Sequence, residues 1–152
     1  MITTFFIDRN LGKNTFPRIL ADAGLHVVKH DDRFAQDTPD EKWIKDVASR
    51  GWIGITGDDL LKRPSGRELI RTYDARIVIV TAGNIKTEQR AQNFVNSWHL
   101  LERRLLAAKP PIVFKIHRPS PPELIDQGKS GRIMDFTHRL YDEIPVSSKA
   151  RA

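Results

Sequence analysis

Cysteine is absent from this 152-residue chain, which excludes disulfides, zinc–cysteine sites and thiol catalysis without fixing a compartment. Long apolar runs are absent too, since none approaches the ~20 residues that a membrane-spanning helix needs. The amino terminus, Met1-Ile2-Thr3-Thr4-Phe5-Phe6-Ile7-Asp8, lacks the basic region and small-residue cleavage site of a signal peptide. A cytoplasmic protein with no membrane segment is the expectation. Histidine is sparse: His26, His30, His99, His117 and His138 show no metal-ligand spacing. Only His30-Asp31-Asp32 forms a local cluster, and a polar loop explains it more simply. Gly128-Lys129-Ser130 imitates the end of a phosphate-binding loop, but Glu123 stands where the earlier glycine belongs and no strand leads in.

What is present is the balance of one globular domain, with 39% hydrophobic and 29% charged residues. Twenty-five Lys and Arg against nineteen Asp and Glu give a net charge of +6, a basic excess that suits a polyanionic partner through counterion release. Apolar runs of strand length alternate with helical patterns. The alternation predicts strands near 3–7, 25–29, 52–56, 76–80 and 112–117, and hence a parallel sheet of about five strands. A helix is expected from about Asn14 to Ala23, with Gly24 as its stop. A second opens at Thr38-Pro39-Asp40-Glu41, with Thr38 as cap, Pro39 at the first helical position and Glu41 completing a capping box. Residues 59–73 read as a turn of helix, a break at Pro64-Ser65-Gly66 and a further helix. The longest helix runs from about Thr87 to Ala108, closed by Pro110-Pro111. Trp43, Trp52 and Trp98 fall in these elements and read as core. Residues 1–117 form the expected domain. From 118 to 152 a Pro- and Gly-rich extension follows, weakly ordered or packing on the domain or a partner, with one short segment at Arg132 to Tyr141.

Carboxylates punctuate this pattern. Asp8 follows Thr4-Phe5-Phe6-Ile7, Asp58-Asp59 follow Trp52-Ile53-Gly54-Ile55-Thr56-Gly57, and Asp40-Glu41 open the helix between them. An acid just beyond a buried strand is held by the sheet yet exposed at its end, where open α/β sheets collect ligands. That is a layout suited to a metal-dependent nuclease.

The segments Phe5-Phe6-Ile7-Asp8-Arg9-Asn10-Leu11-Gly12, Asp40-Glu41-Lys42-Trp43-Ile44, Arg50-Gly51-Trp52-Ile53-Gly54-Ile55-Thr56-Gly57-Asp58 and Val80-Thr81-Ala82-Gly83-Asn84 together resemble the PIN-like proteins related to VapC toxins. The resemblance spans residues 2 to about 117. It implies a three-layer α/β/α sandwich with a central, mostly parallel sheet, magnesium or manganese at an acidic cluster, and hydrolysis of RNA phosphodiesters by the toxin of a toxin–antitoxin pair. A cognate antitoxin protein and a homodimer are the partners it suggests. Hard divalent cations prefer oxygen ligands, and three converging acids without one would repel and stay partly protonated.

Carried over position by position, Asp8 matches the central ligand, against the alternative that it only starts a turn with Arg9-Asn10. Asp58 matches the acid after the third strand, in a Thr-x-Asp position formed by Thr56-Gly57-Asp58. Of Asp40 and Glu41, both favoured in a first helical turn by the macrodipole alone, Asp40 is preferred for the site. Asp59 reads as a helix cap or a further acid of the site. After the fourth strand many PIN nucleases carry another acid, whereas this chain has Thr81-Ala82-Gly83-Asn84, neutral groups suited to a bound water or a phosphate; Asn84 serves equally as a turn residue. Substrate contacts are expected from Arg9, Asn10, Thr56, Lys62, Arg63, Thr81 and Asn84, and Lys13 and Arg67 join the basic candidates; solvated surface is the plain alternative. The sequence thus points to a metal-dependent endoribonuclease. The competing readings are a catalytically weak or inactive nucleic-acid-binding or regulatory module on the same fold, and an interaction protein acting through its tail or in an antitoxin complex.

Overall fold

Strict alternation along five short apolar segments builds the sheet. In the computed structural model, which describes residues 2–142, β1 (Thr4–Ile7), β2 (His26–Lys29), β3 (Ile53–Thr56), β4 (Arg76–Val80), β5 (Ile112–His117) and β6 (Arg132–Asp135) form one sheet in the order β2-β1-β3-β4-β5-β6. The first five strands run parallel, and β6 pairs antiparallel with β5. Successive side chains of a strand point to opposite faces. Phe5, Ile7, Ile53, Ile55, Val78 and Val80 therefore join one core, under α1 (Thr15–Asp22) and α4 (Thr87–Ala107), with Phe16, Leu20, Phe94, Trp98 and Leu101. Phe6, Ile77 and Ile79 face the other core, under α2 (Asp40–Ser49) and α3 (Pro64–Tyr73), with Trp43, Ile44, Val47 and Ile70. The result is a three-layer α/β/α sandwich. Among the described residues no helix is long and apolar enough to cross a membrane.

Gly54 shows how closely the second layer packs. A Cβ there would lie 2.9 Å from Trp43 Cζ3 and 3.0 Å from Ile77 Cδ1, so the missing side chain leaves room for the indole. Trp43 in turn stacks on Phe6, with ring centroids 5.3 Å apart. Trp98 sits edge-on to Phe5 in the opposite core. Trp52 is only half-buried and lies between the guanidinium groups of Arg33 and Arg50.

Two local expectations are corrected, and the sheet gains a strand at its edge. The sheet has six strands, because Arg132–Asp135 pairs with β5 over His117↔Arg132 to Phe114↔Asp135. Its exposed, mixed residues carry no apolar run that the sequence could reveal. The remainder of the extension up to residue 142 also packs on the domain: Leu140 is buried in the second core, and Asn96 donates from Nδ2 to the Ile125 and Lys129 carbonyls. Residues 143–152 of the extension lie outside the described residues. The capping box at α2 does not form. Pro39 occupies the cap with no side-chain bond, and Glu41 is engaged by the Tyr73 hydroxyl at 2.6 Å. Finally, Pro64-Ser65-Gly66 does not break a helix but makes the first turn of α3, with proline at its favoured position near the start.

Candidate active site

The carboxyl ends of β1 and β3 lie side by side, with Ile7 in register with Ile55. Asp8, the first residue past β1, is 8% exposed and is fixed through both oxygens. Oδ1 accepts from the Arg9 amide and Oδ2 from the Thr56 hydroxyl, each at 2.7 Å. Burial raises the Asp8 carboxyl above the ordinary 3.8; the Thr56 bond pulls it back, and neighbouring Asp40 pushes it up again. The group is costly to ionise unless a cation joins it.

Thr56 is fully buried, and its hydroxyl is a hub rather than a substrate contact. Besides donating to Asp8, it accepts from the Asp58 amide at 3.0 Å and from Asn10 Nδ2 at 3.4 Å. Asn10 closes the loop by accepting the Gly57 amide at 3.0 Å. Replacing Thr56 with Val is expected to lower stability by about 1–3 kcal/mol, the cost of stranding buried polar groups. It should also move the Asp8 carboxyl further up, because a bond that favours the ionised form is lost. Thermal melts and carboxyl-carbon NMR titration read the two effects, and an unmoved Asp8 titration would refute the hub.

Asp40, at the start of α2, accepts from Trp43 Nε1 at 2.9 Å, a contact one helical turn along that holds the carboxylate in place. Arg63 reaches across the same opening. Its Nη1 and Nη2 fork onto Asp58 at 3.2 and 2.8 Å, and Nη2 lies 3.7 Å from Asp40. The guanidinium thus supplies the positive charge shared by these two acids. Asp59 turns away from them, capping the 3₁₀ turn Leu60–Lys62 through the Leu61 amide and pairing with Lys115 Nζ at 2.7 Å. Glu41 is held on α3 by Tyr73. Among the described residues, no group of three or more His, Cys, Asp or Glu stands ready to hold a metal ion.

The expected substrate contacts divide. Arg9 is paired with Asp31 at 2.5 Å, and Arg67 is buried with its guanidinium on the Leu61 carbonyl; burial removes Arg67 from the surface on which phosphate would lie. Lys62, Lys13, Asn10 and Arg63 are exposed. Asn84 is exposed in a left-handed turn, φ 58°. Thr81 is half-buried and bonds to the Ile116 carbonyl. The His30-Asp31-Asp32 cluster is a 3₁₀ turn whose His30 is buried against Phe6 and Phe34.

Sequence reasoning missed Arg90. From α4 its Nε and Nη2 donate to the Val80 carbonyl, and a Cβ on Gly57 would meet its Nη2 at 2.6 Å. Arg90 therefore bonds to the end of β4 and lies close beside Gly57 in the Thr56–Asp58 turn. Together with Lys13, Asn10 and Asn14 it lines a cleft of about 420 Å³ beside that turn. Nothing local in the α4 sequence sets Arg90 apart from its polar neighbours; the one signal was the glycine between Thr56 and Asp58.

Comparison with known proteins follows the same elements. The family described as PIN like domain matches residues 3–82, from β1 to just beyond β4. The chain is 31% identical over 118 residues to Putative ribonuclease VapC45 of Mycobacterium tuberculosis (strain ATCC 25618 / H37Rv), an alignment covering 74% of this chain and 84% of that protein. No solved structure matches.

Proposed function

Because the chain belongs to the PIN-like domain family, alongside VapC-type relatives, we propose that it is a metal-dependent endoribonuclease, the toxin of a toxin–antitoxin pair, with Asp8, Asp40 and Asp58 as its acidic site. The observation that carries this reading is the state of Asp8: buried, doubly bonded in place, and raised by burial and by Asp40. An acid held in that condition gains most when a hard cation arrives, and its oxygens and those of Asp40 are the donors such a cation prefers. Asp58 would be the third donor once free of Arg63.

Bound magnesium or manganese supplies Lewis acidity, which polarises the phosphodiester and lowers the pKa of an attacking water. Thr56 and the Arg9 amide keep Asp8 from turning, and Trp43 does the same for Asp40. Arg63, if freed from Asp58, would present a fork of N–H donors that fits a phosphate. Water oxygen bonds to phosphorus as the bond to the departing ribose oxygen breaks; the water's proton passes to solvent and the departing oxygen takes up a proton from solvent. RNA and a cognate antitoxin are the proposed partners, with the cytoplasm the proposed compartment and a homodimer the proposed assembly.

A second reading has its own support. With Arg63 neutralising Asp58 and no three acids gathered to hold a metal among the described residues, a catalytically weak or inactive RNA-binding module is the competing function. The two part in one experiment. Purified protein, freed of any bound antitoxin, is incubated with total RNA in magnesium, manganese or chelator, beside Asp58→Asn. Discrete cuts that need metal and vanish in the folded variant establish the nuclease. Intact RNA with either metal, together with salt-sensitive binding that ignores chelator, replaces it with the binding module.

A further inference from the structure

The carboxyl edge of the sheet continues past the acids. At the ends of β4 and β5 a cleft of about 260 Å³ is lined by Thr81, Gly83, Asn84, His117, Arg118, Ser120 and Arg132. Three of these seven residues are basic types and none is a carboxylate. Arg118 is locked in place, donating from Nε to the Gly83 carbonyl at 2.8 Å and from Nη1 to the Pro119 carbonyl at 3.0 Å. Carbonyls orient a guanidinium without neutralising it. Neither Arg118 nor Arg132 pairs with an acid among the described residues. Gly83 admits the Arg118 stem, which a Cβ there would meet at 3.1 Å.

His117 faces the Thr81 hydroxyl across 3.3 Å. Burial, then the charges of Arg132 and Lys115, hold its imidazole below the ordinary 6.5. The local field is positive.

The geometry points to a binding site for an RNA backbone phosphate on Arg118, Arg132 and His117, flanked by the Thr81 and Ser120 hydroxyls, which engages the strand a few nucleotides from the bond held at Asp8. This rests on the ribonuclease reading for the identity of the anion. Neighbouring strands are ~4.8 Å apart, so β5 lies roughly 10–14 Å from β3 and β1 along the same edge, a span that a few nucleotides of single strand cover. Arg118, Ser120 and Arg132 lie beyond residues 3–82. The extension thus adds a substrate grip beyond the segment matched by the family.

Two measurements on the full-length protein test the site. In the first, the His117 ring is titrated by NMR with and without inorganic phosphate, against chloride at equal ionic strength. Phosphate should raise the His117 pKa in the wild type and leave it unmoved in Arg118→Gln/Arg132→Gln. In the second, binding of a single-stranded RNA is followed in chelator across salt. Arg132→Gln, at an exposed position of an edge strand, should flatten the slope of log K against log salt by roughly 0.7, one phosphate contact on a single strand. A wild-type His117 that ignores phosphate overturns the site. A phosphate response with an unchanged RNA slope overturns its place in the RNA path, leaving a free-anion site. If the wild type binds no RNA, the ribonuclease reading itself fails, whatever phosphate does at His117.

Discussion

Asp8→Asn is expected to reduce metal-dependent RNA cleavage by more than the roughly 10–100-fold that follows loss of an outer partner of a metal ligand, while the folded protein gains relative stability as pH rises. Both effects come from one group. Asp8 is the acid at the heart of the proposed site, and its carboxyl is raised by burial and by Asp40. Below pH 3.8 both the folded and the unfolded chain hold the Asp8 proton, and the wild type carries no penalty. As pH rises past 3.8 the unfolded chain loses that proton first, so the folded state binds more protons and stability falls until the folded carboxyl has titrated. Above that window the wild type keeps the deficit. The amide of the variant never ionises. In chelator, the melting temperature of Asp8→Asn minus that of the wild type should therefore grow in the variant's favour from pH 3.8 upward. A difference that stays flat with pH would sink the idea that Asp8 is strained by its own charge. Saturating manganese should then shrink the gap, since a ligand bound by the folded state alone stabilises it, by about 2.7 kcal/mol at a hundredfold excess over Kd.

The second large effect is expected from Gly66→Ala. Gly66 lies in the first turn of α3, and a Cβ there would stand 2.2 Å from the Leu60 carbonyl oxygen, 3.0 Å from its carbon and 3.2 Å from Leu60 Cα. All three atoms are backbone, and Leu60 is itself fully buried, so no side chain can swing aside. Either α3 backs off the sheet or the turn Leu60–Lys62 moves. Overpacking of this kind costs about 3 kcal/mol at the upper end of its usual range, which in a domain of this size lowers the melting temperature by roughly 6–12 °C. The effect should reach the site as well, because Asp58 and Asp59 lead directly into that turn and Arg63 leads out of it. Exposed Ser65→Ala, one residue earlier, is the control and should melt with the wild type. Equal melting of Gly66→Ala and wild type would show that the turn yields freely.

Much of the layered fold was readable because its signals are local. Phe5-Phe6-Ile7, Ile53-Gly54-Ile55 and Ile77-Val78-Ile79 alternate between two cores, as buried parallel strands must. The α4 stripe, Ala91, Phe94, Trp98, Leu101 and Leu105, repeats at helical spacing. For β6 the sequence offered only a short segment of no stated type, since Arg132-Ile133-Met134-Asp135 becomes a strand only through the register that β5 offers it. At α2 a good local capping pattern lost to Tyr73, which takes Glu41 from another helix.

The same division runs through the candidate site. The sequence by itself determined where Asp8 and Asp58 stand, because an acid following a buried strand emerges at the sheet's edge whatever else the chain does. It determined the acid at the start of α2 for a similar reason. Which charges those acids meet was decided only by tertiary structure. Arg63 is five residues from Asp58 and twenty-three from Asp40, yet one guanidinium reaches both. Thr56 had the composition of a substrate contact and became the buried anchor of Asp8, forty-eight residues away. Arg118 and Arg132, in a Pro- and Gly-rich stretch without periodicity, converge with His117 only when β6 folds back on β5. Hydrophobic patterning acts over one turn or one strand and can be read along the chain; charge pairing and burial act through space, between residues that only the folded sheet brings together.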